Sequence, residues 1–201
     1  MKKLIAPFVV LLLLSFGLTP DKLTDEEREK AVNKLSSTHE FMINTLDGLS
    51  EEQLAYKSTP ESWSIAECVE HLTISENAFS DMLKATLAAA PDEAMRAAAT
   101  MEDDQIYTMI SSREKKVKTS EAFEPSGKFG SYQATLDALT AKRIEHIKYL
   151  KTTDDDFRNH FKEMPFGTID AYQMVLFMAG HTERHVKQMV EIMEDEGFPE
   201  E

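Results

Sequence analysis

The sequence predicts an all-α protein built as a four-helix bundle. Apolar residues recur at three- and four-residue spacing in four long segments, which is typical of amphipathic helices. Polar loops separate these segments, and no stretch shows a convincing strand pattern. The length of 201 residues, with 42% hydrophobic and 29% charged residues, fits one globular domain with a real core.

The first two long helices are predicted from their caps. Thr24 precedes three acidic residues, which favour a helix start, and an apolar stripe then continues to residue 46, near Gly48. Ser64 and Glu67 form the pattern of a capping box. The helix that follows is predicted to end at about residue 90, before Pro91.

The remaining two long helices occupy the second half of the chain. Residues 91–129 are less regular, with a short helix predicted near residues 102–112. The third long helix is predicted to begin near Ser131 and to end before a run of three aspartates at 154–156. A loop leads to Thr168, the predicted cap of a last helix that reaches about Met193.

The N-terminus predicts export. Two lysines precede an apolar run at residues 4–16, and the small residues Ser15 and Gly17 suit a cleavage site after residue 17. The run is short for a membrane span, which needs roughly 20 apolar residues, so an uncleaved anchor is the less favoured interpretation. We therefore expect a signal peptide at 1–17, a bundle domain at 18–201, and a periplasmic or secreted protein.

The charge balance argues against some partners. The formal net charge is −14, and such a surface repels the phosphate backbone of nucleic acids. After signal cleavage we expect no membrane association. Cys68 is the single cysteine, so no internal disulfide can form, and packing, a metal or both must stabilise the fold.

Two histidines near the C-terminus have the spacing of metal ligands. His181 and His185 lie four residues apart on the apolar face of the last helix, so their rings point the same way. Burying two imidazoles without partners is costly, and a metal removes that cost. The alternative is a helix-boundary position or a hydrogen bond to a carbonyl. Glu183 is two residues from His181 and points away, unlike the glutamate of the zinc-protease motif.

A third ligand must come from another helix, and spacing alone leaves it open. The remaining histidines are candidates: three lie in predicted helices and one in a loop. They are His39, His71, His146 and His160.

Two motifs resemble the DinB/YfiT-like family. Residues 63–72, WSIAECVEHL, are similar to the second-helix signature of that family, and residues 166–173 with 181–188 are similar to its last helix. The resemblance covers about residues 24–195. It implies a four-helix bundle and a divalent metal held by His71, His181 and His185, with zinc, nickel or another first-row metal as the ion. It also implies that Arg143 pairs with an acid or with carbonyls across the bundle, and that the protein forms a homodimer.

Three neutral imidazoles leave a coordination position for water or substrate, which is the catalytic pattern. The resulting prediction is a metal-dependent enzyme of the hydrolase or thiol-transferase type, acting on a small molecule. Export fits thiol transfer poorly, since the family's thiol cofactors are cytoplasmic. The alternative is a non-catalytic metal- or ligand-binding module in the cell envelope.

Glu67 and His39 are the candidates for acid–base catalysis. Glu67 lies one turn before His71, and His39 lies on the apolar stripe of the first helix. For both residues a structural role is the favoured interpretation. Glu67 suits a capping box, and His39 suits a core position with satisfied hydrogen bonds.

Overall fold

The computed structural model describes residues 22–200. The predicted signal peptide at residues 1–17 lies outside the described residues. No helix within 22–200 has the length and apolar character needed to cross a membrane. The described helices are α1 (Asp25–Leu46), α2 (Glu51–Ala55), α3 (Ile65–Ala88), α4 (Glu93–Ala98), α5 (Asp103–Ser111), α6 (Tyr132–Thr152) and α7 (Ala171–Met193).

Four long helices form the bundle, as predicted. Each of α1, α3, α6 and α7 packs on two of the others, in the cycle α1–α7–α3–α6. Thr24, Ser64 and Ser131 cap α1, α3 and α6 through their side-chain oxygens, which accept backbone N–H groups of the first turn. These three helix starts were predicted from sequence and are confirmed.

The buried apolar residues show which way each helix runs. One cluster contains the first half of α1 and α7 and the last half of α3 and α6, and a second cluster contains the opposite halves. Helices α1 and α7 are therefore parallel to each other, and α3 and α6 run in the opposite direction. Because α3 and α6 are consecutive long helices that run the same way, the chain must return along the bundle between them.

Residues 89–131 make that return, and we call them the crossover. They contain α4, α5 and a 3₁₀ turn at Glu121–Phe123. Helix α5 packs on α7, and Gly180 lets it come close. A Cβ at Gly180 would lie 3.1 Å from the carbonyl oxygen of Tyr107. The crossover is thus held against the helix that carries two of the three candidate ligands.

A buried polar layer separates the two apolar clusters. Arg143 forms a two-pronged ion pair with Glu76, with both N···O distances 2.8 Å, and donates to Thr182 Oγ1 at 2.7 Å and Thr38 Oγ1 at 3.3 Å. His146 Nδ1 lies 2.9 Å from Glu76 Oε1. Burial would raise the pKa of Glu76, but Arg143 and His146 lower it to about 2. The predicted role of Arg143, pairing across the bundle, is confirmed.

A small hairpin was not predicted. Strands β1 (Phe161–Met164) and β2 (Gly167–Asp170) pair antiparallel, whereas the sequence predicted no strands. Four-residue strands are too short to show a reliable period, and only Phe161 is buried in β1. The predicted cap at Thr168 is wrong for the same reason, because Thr168 lies inside β2. Asp170 caps α7 instead, in a capping box with Gln173.

Candidate metal centre

Helices α3 and α7 bring three histidine side chains together. His71 lies on α3, and His181 and His185 lie one turn apart on α7. The Nε2 atoms of His71 and His181 are 3.2 Å apart, and one potential ligand atom from each ring lies within 4.8 Å of the others. We call these residues the triad. Among residues 22–200 they form the one group of this kind.

Two hydrogen bonds orient the rings. His71 Nδ1 lies 2.8 Å from the carbonyl oxygen of Phe123 in the crossover, and His185 Nδ1 lies 3.0 Å from Oε1 of Gln188. Both partner oxygens are acceptors, so each Nδ1 carries the proton and donates it. The Nε2 lone pairs of both rings are then available to bind a metal, since the outer acceptor fixes the tautomer.

Burial keeps the triad neutral. Loss of water around the rings lowers the pKa of His71, lowers that of His181 well below its usual range, and lowers that of His185 to about 3. The other rings of the triad add to the effect at His181 and His185. Metal binding therefore requires little proton release near neutral pH.

The donor set fits a first-row divalent ion. A tetrahedral ion with bonds of about 2.1 Å to imidazole holds its ligand nitrogens about 3.4 Å apart, close to the distance between the Nε2 atoms of His71 and His181. In the metal-free protein, a neutral His181 ring that carries its proton on Nε2 can donate it to the Nε2 lone pair of His71 at this distance. A divalent ion could take the place of that proton if the His181 proton moved to Nδ1, since the Nε2 lone pairs of both rings would then face the ion.

Aromatic rings enclose the triad. The Trp63 ring centroid lies 4.8 Å from that of His71 and 6.2 Å from that of His185. Phe79 meets His181 edge-on at 5.3 Å, and Phe177 stacks on it at 6.0 Å. The half-buried ring of Trp63 therefore forms a wall of the site.

The other candidates have structural surroundings. Glu67 accepts the Ser64 backbone N–H at 2.8 Å and pairs with Lys57 at 2.7 Å, which is the capping-box role favoured from sequence. His39 is outside the triad, and burial followed by the nearby Arg143 charge lowers its pKa. Neither residue is placed to act on a group bound at the triad.

The other two histidines also lie elsewhere, His146 in the polar layer and His160 just before β1. Glu183 points away from the triad as expected, but it is not simply solvated. It accepts a hydrogen bond from Tyr107 and pairs with Lys187 at 2.7 Å.

Sequence reasoning missed the residues that support the triad from outside. Glu70 accepts the backbone N–H groups of Ser126 and Lys128 at 3.0 and 3.1 Å, which holds the crossover beside His71. Nothing in the sequence marks this contact, because its partners are backbone groups far along the chain. The hydrogen bond between His185 and Gln188 could have been predicted from the sequence, since residues three apart on a helix are neighbours.

Gln188 should tune metal affinity without being a ligand. We expect Gln188→Leu to weaken zinc binding by about 10- to 100-fold, because His185 loses the acceptor that fixes its tautomer and orientation. Competition with a chromophoric chelator measures the affinity. Gln133→Leu, an exposed glutamine on α6, is the matched control and should leave the affinity unchanged. Equal zinc affinity in Gln188→Leu and wild type would contradict this role.

Comparison with known proteins shows the family to which the chain belongs. The profile of the DinB superfamily matches residues 34–189, which span all four long helices of the bundle. The chain belongs to the DinB superfamily. Among characterised folds, this superfamily member is similar to YfiT from Bacillus subtilis, with a TM-score of 0.58 and 15% identity over 90% of this chain and 94% of that chain. YfiT is described as a probable metal-dependent hydrolase with an unusual four-helix bundle topology. At this identity the likeness shows the fold.

A curated protein is similar in sequence. It is YuaE of Bacillus subtilis strain 168, an uncharacterised protein, and it is 29% identical over 154 residues. The match covers 75% of this chain and 90% of YuaE. The resemblance inferred from residues 63–72 and 166–188 is thus confirmed at the level of the family and the fold.

Proposed function

We propose that this protein is a metal-dependent hydrolase in which His71, His181 and His185 bind one divalent first-row ion. The convergence of three neutral imidazoles, two of them with Nδ1–H donated outward, is the observation that carries the proposal. The description of YfiT as a probable metal-dependent hydrolase supports the reaction class. The proposal does not choose among zinc, nickel and other first-row ions, all of which accept imidazole.

The donor set favours catalysis over a purely structural role. Three protein ligands leave at least one position for water or substrate, whereas structural sites are usually closed by four. An ion held there supplies Lewis acidity and lowers the pKa of coordinated water to about 7. In ester hydrolysis, water oxygen bonds to the acyl carbon, the bond to the leaving oxygen breaks, and a water proton passes to that oxygen.

The residues around the triad would hold and shield the reacting groups. Phe123 and Gln188 orient the ligand rings through Nδ1, so the Nε2 atoms stay directed inward. Trp63 and Phe177 cover the rings with apolar surface, which limits the access of bulk water and strengthens electrostatic interactions inside. None of the described carboxylates joins the triad, so a bound ion would keep its full positive charge.

The second candidate is a metal- or ligand-binding module without turnover. One observation favours it: Glu67, one acid–base candidate, is engaged by Ser64 and Lys57, and His39, the other, is not part of the triad. Such a module would gain stability from the metal and would show no substrate conversion. It would not exchange small ligands onto the metal as readily as a catalytic site does.

We expect protein purified without chelators or an affinity tag to contain one first-row metal per chain, and His185→Ala to contain none. Wild type should hydrolyse activated esters or amides in a metal-dependent manner. The alanine variant should lose this activity, by about a hundredfold or more, because both the ion and its ligand geometry are lost. The matched control is His160→Ala, which removes a histidine outside the triad.

Wild type without stoichiometric metal would contradict the site. Stoichiometric metal with no hydrolysis would instead favour the binding module. Transfer of an added thiol to an electrophile would point to the thiol-transferase alternative within the family.

We also propose that the protein is exported, that it forms a homodimer, and that it does not bind nucleic acid. The apolar run at residues 4–16 supports a periplasmic or secreted location, and fractionation of a tagged protein would test it. A homodimer is proposed by analogy with the family, and its test is the mass in solution. The acidic composition supports the absence of nucleic acid among the partners.

A further inference from the structure

The rim of the triad carries a guanidinium group. Residues 181, 184, 185 and 188 of α7 share one helix face, so Arg184 lies directly beside the histidines. Its guanidinium donates to the carbonyl oxygen of Lys115 in the crossover. The acidic residues nearest to it on α7 pair elsewhere: Glu183 with Lys187, and Glu191 with Arg113.

A second guanidinium adjoins the first. Arg113 makes a two-pronged contact with Glu191 at 3.0 and 2.6 Å and donates to Gln188 Oε1 at 3.3 Å. Arg113 thus reaches Gln188, which lies on the same face of α7 as Arg184. Two guanidinium groups therefore lie on one side of α7 and repel each other, and Glu191 is paired with Arg113.

The crossover adds more positive charge at this point. Residues 113–118, REKKVK, contain four cations and one acid, in a chain whose formal net charge is −14. The three lysines of this stretch are exposed, and the segment is held to α7 by the contacts of Arg113 and Lys115. The net charge of this stretch is therefore positive, whereas that of the whole chain is negative.

A metal ion would intensify the repulsion. Three neutral imidazoles compensate none of its charge, so a divalent ion adds two positive charges beside Arg184. Like charges gathered in a partly buried site are unfavourable unless an anion joins them. A substrate with a negative charge would offset this repulsion, which gives a physical reason for the cations beside the triad.

We propose that the site takes small anionic esters, in which a carboxylate of the substrate binds Arg184 while the scissile acyl group lies at the triad. The planar guanidinium matches a carboxylate with two parallel hydrogen bonds. Hydrolysis of such an ester releases a dicarboxylate and an alcohol: water oxygen bonds to the acyl carbon, the bond to the leaving oxygen breaks, that oxygen takes one water proton, and the other proton is released to solvent. The proposal rests on the hydrolase function proposed above and names its substrate class.

Direct binding tests the proposal without turnover. The probes are succinate, a dicarboxylate, and dimethyl succinate, its uncharged ester, titrated calorimetrically into the zinc-loaded protein. We expect succinate to bind and dimethyl succinate not to bind. Arg184→Gln should weaken succinate binding by about ten- to a hundredfold, the loss expected for hydrogen bonds between charged groups. Lys148→Gln, an exposed cation on α6, is the matched control and should bind succinate like wild type.

Turnover gives the second measurement. We expect kcat/KM for the para-nitrophenyl monoester of succinate to exceed that for para-nitrophenyl acetate, and Arg184→Gln to remove most of this preference through KM. Succinate binding that is absent, or equal in wild type and Arg184→Gln, would overturn the anionic class.

The two proposals fail separately. Hydrolysis of para-nitrophenyl acetate with no succinate binding leaves the hydrolase and overturns the substrate class. Succinate binding that depends on Arg184, in a zinc-loaded protein without hydrolysis, supports the anion site and overturns the hydrolase.

Discussion

Glu76→Ala should destabilise the protein by about 3–5 kcal/mol. The substitution leaves the Arg143 guanidinium, which is 1% exposed, without its counterion in the middle of the bundle. It also removes the acceptor of His146. Urea unfolding followed by circular dichroism measures the loss.

Two further variants separate charge from packing. Glu145→Ala removes an exposed glutamate of α6 that pairs with Lys142, and it should cost less than about 1 kcal/mol. Glu76→Leu combined with Arg143→Met removes both charges and should recover most of the stability lost in Glu76→Ala. If the double variant is as unstable as Glu76→Ala, packing at this layer, rather than the unpaired charge, dominates.

The metal-free protein should lose stability on acidification, and His185 should account for a defined share. Its folded pKa is lowered to about 3, whereas a free histidine has a pKa of about 6.5. The unfolded chain therefore binds a proton below pH 6.5 that the folded chain does not accept until about pH 3. The stabilisation is complete above pH 6.5 and decreases by about 1.4 kcal/mol per pH unit below it.

His185→Gln isolates this effect because it removes the titrating ring and keeps a polar side chain. In chelator-treated samples, the free energy of unfolding of wild type should decrease by about 1.3 kcal/mol more than that of His185→Gln between pH 5.5 and pH 4.5. His160→Gln is the control outside the triad. Parallel pH profiles of wild type and His185→Gln would show that His185 is not held neutral by burial.

The sequence predicted the bundle because its helices carry strong local signals. The caps at Thr24, Ser64 and Ser131 and the apolar stripes depend on residues a few positions apart. The hairpin at Phe161–Asp170 gives no such signal, since its strands are short and only its second strand is mostly buried. The sequence also could not predict the directions of α3 and α6, because hydrophobic periodicity shows which face of a helix is buried but not which way the helix runs in the bundle.

The candidate metal centre was likewise predicted only in part from local sequence patterns. The spacing of His181 and His185 places both rings on one face of a helix, so this pair follows from local geometry. The third histidine required the family resemblance, because His71 and His146 are both buried and mid-helix. What separates them is tertiary: His146 faces Glu76, while His71 faces Phe123 and the other two rings.

The ligands of the candidate site and the cations near it come from different parts of the fold. The ligands come from α3 and α7, which pack directly on each other in the bundle core. The cations near the C-terminal half of α7 come mostly from the crossover of residues 89–131, whose side chains are exposed between residues 114 and 118. Exchanging these exposed residues should change the charge beside the triad while leaving the folding free energy and the three imidazoles nearly untouched. Such a chain can acquire a new selectivity without rebuilding its interior.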